Sequence, residues 1–257
     1  MIAGSLSVGA SRTGARESDM HRRPHLVSAL VAASVLSIGL SGLAALPVEP
    51  ATPVPCLADG SQTGDDLHAR GYAEYEAGNY EQAVPLLQRA VEMGPDAVSY
   101  RNDLGLALHA LDRDAEARAA LEGAVRVAPD SAMAHFNLAG VLVALGEREA
   151  AVWEYREARR LEPGSPGIWN DLAATLMELG WAMRAEMEYS LLVQRHADYA
   201  NGWFGYAVVL ERSGRGGDAR AAWGRFLELC ENPESPFAQT ARERLAGLET
   251  RLSAKAR

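Results

Sequence analysis

From Gly64 to Pro233 the chain repeats itself every 34 residues without a single insertion. The units are 64–97, 98–131, 132–165, 166–199 and 200–233. Self-similarity at a period of this length constrains the fold more than any composition does, because each unit must be one supersecondary element that buries its apolar face only against its neighbours. Position 20 of the unit is alanine in every copy: Ala83, Ala117, Ala151, Ala185 and Ala219. Position 8 is always small, from Gly71 and Gly105 to Ala139, Ala173 and Ala207. Position 24 is always large: Leu87, Leu121, Tyr155, Tyr189 and Trp223. Position 15 is glycine except for Asp112, and position 32 is proline in the first three copies.

These positions read as two helices per unit. Apolar residues at positions 4, 7 and 11 fall on one face of a first helix, and positions 20, 24 and 27 do the same for a second. Small residues at 8 and 20 let the two helix axes approach closely. Glycine at 15 ends the first helix with a positive φ, and proline at 32 ends the second. The spacing resembles the tetratricopeptide repeat (TPR), whose pattern places Trp, Leu, Gly and Tyr, then Ala, an aromatic residue, Ala and Pro at these offsets. The resemblance implies an all-α fold: a right-handed superhelical α-solenoid of five helical hairpins, closed by a C-terminal capping helix.

Some positions depart from the pattern. Arg70 and Glu74 stand where the first unit wants apolar groups, so a wetter outer face is expected there. Pro85 should kink the second helix of that unit or delay its start. Gly216 and Gly217 should fray the last such helix, and repeats 4 and 5 are expected to stack at an altered angle. Residues 234–257 read as the capping helix. Ser235 and Pro236 begin it, and Phe237, Ala241, Leu245, Leu248 and Leu252 form its apolar face.

Residues 1–46 read as an export segment. Leu26–Leu46 is a run of 21 residues without a charge, preceded by Arg22 and Arg23. It is either a signal peptide cut after Ala44 or an uncut transmembrane anchor. Both outcomes predict a periplasmic or extracytoplasmic repeat body, with membrane contact only through residues 26–46 if the segment stays uncut. Met20 would make a cleaner start than Met1. Residues 47–63 form a linker rich in Pro, Gly, Ser and Thr. Val54 and Pro55 before Cys56 do not form a lipobox. Cys56 and Cys230, near opposite ends of a long stack, are not expected to reach the ~7 Å that a disulfide needs.

The formal net charge is −9, all of it in the repeat body and tail. An acidic body argues against a nucleic-acid partner, which would need clustered Lys or Arg. No motif predicts a cofactor or a metal site, and none predicts an enzyme. Asp103 and Asp171 lie two repeats apart, too far for shared acid–base chemistry. Trp169, Trp203 and Trp223 occupy core positions of the repeat rather than a cofactor box.

The resemblance implies a concave groove lined by the first helices, mainly at positions 2, 5, 6, 9, 12 and 13. The partner-groove candidates are Tyr72, Asn102, Asp103, Met133, Phe136, Asn137, Asn170, Asp171 and Phe204. Asn102, Asn137 and Asn170 would either bond the main chain of an extended peptide or simply be solvated. Met133, Phe136 and Phe204 would either anchor apolar side chains of a partner or pack between helices. No lysine stands where related chaperone-binding repeats grip a carboxylate. The expected function is a scaffold that binds a protein or peptide partner in the cell envelope. An assembly chaperone of the pilus or cytochrome-maturation type is the alternative.

Overall fold

The computed structural model describes residues 62–255. The export segment, Cys56 and nearly all of the linker lie outside these residues, so the readings made of them stay expectations. The described residues form eleven helices and no strand. The first helices of the five hairpins are α1 (Gly64–Glu76), α3 (Val98–Ala110), α5 (Ala132–Ala144), α7 (Pro166–Glu178) and α9 (Ala200–Arg212). The second helices are α2 (Tyr80–Met93), α4 (Asp114–Val127), α6 (Arg148–Leu161), α8 (Ala182–Arg195) and α10 (Gly216–Leu229). The cap is α11 (Pro236–Lys255). The fold is the right-handed α-solenoid that the repeat predicts.

Every first helix ends at repeat position 13, and every second helix begins at position 17. The turn between them explains this regularity. Gly78, Gly146, Gly180 and Gly214 have φ between 73° and 80°, and Asp112 has φ 57°. Asp is one of the few side chains that tolerates this left-handed region. In each turn the N–H of position 16 reaches the carbonyl of position 11, as Asn79 does to Glu74 at 2.9 Å and Trp181 to Leu176 at 2.9 Å. The N–H of position 15 reaches position 12, as Gly78 does to Tyr75 at 3.0 Å. These two bonds are the Schellman motif, which satisfies the last carbonyls of a helix.

Hairpin closure rests on positions 8, 20 and 24. All five alanines at position 20 are fully buried. A Cβ added at Gly71 would lie 2.7 Å from Leu87 Cγ, and one added at Gly105 would lie 2.5 Å from Leu121 Cγ. The small residue is therefore the seat of the large one. One core cluster runs from Ala83 in the first hairpin to Val209 in the last, and a second joins the last hairpin to Ala241 and Leu248 of the cap.

The junctions between hairpins carry a bond that the apolar pattern hides. Position 4 donates a side-chain N–H to the carbonyl at position 32 of the preceding unit at all four junctions. Arg101 Nε reaches Pro95 O at 2.9 Å, and His135 Nε2 reaches Pro129 O at 2.9 Å. Trp169 Nε1 reaches Pro163 O at 3.0 Å, and Trp203 Nε1 reaches Ala197 O at 2.9 Å. Leu67, in the first described hairpin, is purely apolar at this position. Position 4 is thus a donor site more than an apolar one.

Three readings need correction. Helix α2 starts at the same repeat position as its counterparts and runs through Pro85, so Pro85 does not delay it. Burial of Ala83, Val84, Leu87 and Ala90 on that helix outweighs the lost bond. Likewise α10 begins at Gly216 in the common register despite its two glycines, held by Ala219, Ala222, Trp223 and Phe226. In the cap Ala241 and Leu248 are buried and Leu245 packs against their cluster as expected, but Ala238 rather than Phe237 completes the buried face, with Phe237 at its edge. The wetter face of the first hairpin is present: α1 buries only Leu67 and Gly71.

Candidate peptide-binding groove

The inner face of such a superhelix is built from α1, α3, α5, α7 and α9. Helix α1 places His68, Tyr72 and Tyr75 along one stripe. The rings of Tyr72 and Tyr75 have centroids 6.3 Å apart, and Tyr75 lies 5.5 Å from Tyr80 of α2. His68 stacks on Tyr100 at 4.6 Å, and Tyr100 OH donates to Asp65 at 2.5 Å. The half-buried stripe therefore starts the groove with an aromatic row. His68 was not among the sequence candidates, although it shares position 5 with Asn102 and Asn170. Its signal was the spacing of four and seven residues to Tyr72 and Tyr75.

The polar candidates at the middle face inward more than outward. Asp103 is buried and accepts a hydrogen bond from His68 Nε2 at 2.7 Å, tying the second hairpin to the first. Asn102 is only 3% exposed, and its Oδ1 is enclosed without a hydrogen-bond partner among the described residues. Asn170 is buried and donates from Nδ2 to Asp171 Oδ1 at 3.0 Å. Asp171 is 1% exposed, and its main-chain carbonyl accepts from Thr175 Oγ1 at 2.7 Å. The reading of Asn102 and Asn170 as solvated positions is corrected by this burial. Asn137 differs: the residue is half-buried, with its Nδ2 enclosed and unpaired.

Burial drives the phenol pKa values of Tyr155 and Tyr189 far up, and the Asp171 carboxylate adds to both shifts. Both phenols therefore stay protonated. Asp171 belongs electrostatically to this buried tyrosine pair.

The apolar candidates divide. Phe204 sits in an aromatic cluster, with ring centroids 5.0 Å from Trp223, 5.2 Å from Phe226 and 5.6 Å from Phe237. It therefore holds the cap helix to the last hairpin. Phe136 is half-buried, with its ring 5.7 Å from Tyr155. Met133, one turn earlier on the same helix, is also half-buried. The stretch with partner-accessible surface is thus Tyr72, Met133, Phe136 and Asn137. Among the described residues no cluster of side chains could hold a metal ion, and no helix is long and apolar enough to cross a membrane.

The tetratricopeptide-repeat family model matches residues 68–126 and 115–166. Among curated proteins none matches the sequence. Solved structures match in fold. One is PilF of Pseudomonas aeruginosa, 18% identical with a TM-score of 0.60, covering 74% of this chain and 90% of that one. MamA is 18% identical with a TM-score of 0.58, covering 62% and 93%. YrrB, described as a TPR protein with an unusual peptide-binding site, is 16% identical with a TM-score of 0.57, covering 69% and 91%. At these identities the likeness is one of fold. That fold is generally used for non-catalytic interaction scaffolds.

Proposed function

We propose that this chain is an interaction scaffold that takes a partner polypeptide along the inner face of its first helices. The observation that carries this reading is that Tyr72 on α1 and Met133, Phe136 and Asn137 on α5 stay half-buried, on a fold whose relatives include a peptide-binding TPR protein. Rigid aromatic and apolar side chains supply contact area at low entropic cost, and the Asn137 Oδ1, not its enclosed Nδ2, accepts a hydrogen bond from an extended main chain. The buried Asn and Asp residues support this surface from beneath. Specificity then lies in these apolar side chains rather than in a charge clamp.

The working place we infer is the cell envelope. It rests on the uncharged run Leu26–Leu46 and the two arginines before it. Affinity capture with the full chain from its native cells, repeated with Phe136→Ala and with Asn137→Ala, tests the groove. One folded partner should be retained by the wild type and lost at least ~10-fold in each variant. A partner that ignores both substitutions sinks the groove reading. A broad set of unfolded clients points instead to the chaperone alternative. Protease added outside intact spheroplasts should degrade the repeats, and protection of the repeats would refute the envelope location.

A further inference from the structure

The outer face of the solenoid carries an apolar stripe that the groove does not use. On α8, Met183, Met187 and Leu191 are 88%, 56% and 37% exposed. They stand four residues apart, so they form one line along the solvent side of the helix. They occupy repeat positions 18, 22 and 26. In the first hairpin those positions hold Glu81, Pro85 and Arg89, and no other hairpin has more than one large apolar residue there. That one is Trp153, at position 22 of the preceding hairpin and 58% exposed. A shallow open depression lined by Trp181, Met183 and Arg184 lies at the start of α8.

The geometry points to this face as a self-association surface that pairs two copies of the chain through antiparallel α8 helices. It stands independently of the groove. A two-fold axis at Met187 sets that residue against its own counterpart and sets Met183 against the second copy's Leu191. The depression beside Met183 is then filled by the second copy's leucine. Charge permits the pairing, because the carboxylates flanking the stripe are already engaged within the chain. Glu186 accepts from Arg215 at 2.5 Å, and Glu188 accepts from Arg159. The guanidinium of Arg184 lies over the Trp181 ring at 4.9 Å rather than across the stripe.

Area sets the strength. The stripe and the two tryptophans present on the order of 500 Å² of apolar surface per copy. Two copies then bury about 1,000 Å², which is the lower bound for a specific interface. The dimer is therefore reversible rather than obligate. A second copy is the favoured occupant because a single line of three apolar residues is its own complement under a two-fold axis.

In-cell disulfide crosslinking tests the register. Full-length chains with Cys56→Ser and Cys230→Ser would carry new cysteines and be oxidised in their native cells. Met187→Cys should give a homodimer band. Met183→Cys alone should not, because its two copies would lie about 12 Å apart along the helix axes, beyond disulfide reach. Met183→Cys combined with Leu191→Cys should restore the band. Met187→Glu should leave the helical signal and unfolding midpoint unchanged while weakening self-association at least ~10-fold in sedimentation of the purified full chain. No crosslink through Met187→Cys, a crosslink to a different protein, or equal crosslinking from Met183→Cys alone would each overturn the proposal.

Discussion

The indole N–H of Trp169 donates to the main-chain oxygen of Pro163 across the junction between the third and fourth hairpins, at 3.0 Å. The same ring lies beneath two guanidinium groups, Arg159 at 4.8 Å and Arg195 at 5.3 Å from its centroid. One side chain thus joins three elements: the turn after α6, helix α7 and the end of α8. In a solenoid, stability is close to a sum of hairpin and junction contributions, so this contact bears directly on cooperativity.

Trp169→Phe keeps an aromatic ring and removes the donor. It should lower unfolding free energy by about 1–2 kcal/mol, combining the lost hydrogen bond with a weaker cation–π contact. Trp169→Ala should cost about 3–5 kcal/mol. Urea titration followed by circular dichroism measures both. A Phe variant as damaged as the Ala variant would show that the bond, not the ring, holds the junction.

Gly105→Ala places a Cβ 2.5 Å from Leu121 Cγ at the closest point of the second hairpin. The overpacking should cost about 1–3 kcal/mol. Leu121→Ala in the same chain removes Cγ and both Cδ atoms and should relieve the clash, so the double variant should be more stable than the sum of the two single changes predicts. Strict additivity in denaturant titrations would count against the seat-and-knob reading of positions 8 and 24.

Asn102→Leu removes an amide whose Oδ1 is enclosed without a partner among the described residues. Replacing an unpaired buried polar group by an apolar one of similar shape should be neutral or stabilising by up to ~1 kcal/mol. Thermal unfolding decides the matter. A loss above ~2 kcal/mol would mean that this amide bonds something in solution.

Glu154 provides a pH handle. His135 Nε2 must donate to the Pro129 carbonyl, which only accepts, while Nδ1 lies 2.6 Å from Glu154 Oε2. Burial raises the Glu154 pKa above its ordinary value of 4.5, against the lowering effect of the His135 hydrogen bond. A raised folded-state pKa means that the contribution to stability is present below pH 4.5 and is lost as pH rises through the folded value. Unfolding free energy measured from pH 4 upward should contain this falling component, and Glu154→Gln should lack it. Identical pH profiles for both chains would refute the assignment.

Much of this architecture was legible in the sequence, because a helical hairpin is specified locally. Gly78 and Gly146 end α1 and α5 by backbone freedom alone, and Ala83 and Ala117 mark helix crossings by lacking bulk. The candidate groove was legible only in part. Asp103, Asn102 and Asn170 share the groove register with Asn137, but how far each turns toward the neighbouring hairpin depends on packing between units. Phe204 carries the right residue type for an anchor, and it became a cap contact only because Phe237 arrives from a separate helix.

The sequence by itself determined the number of hairpins, their boundaries and their closure, since those depend on φ preferences and side-chain volumes within 34 residues. Only the tertiary structure decided which side chains bridge one hairpin to the next. Arg101, His135, Trp169 and Trp203 look unlike one another in a sequence, yet they make the same bond to the same carbonyl position. Tertiary packing likewise decided that Met183 and Met187 stand outside. Helical spacing shows that residues share a face, but only the neighbouring helices show whether that face is covered.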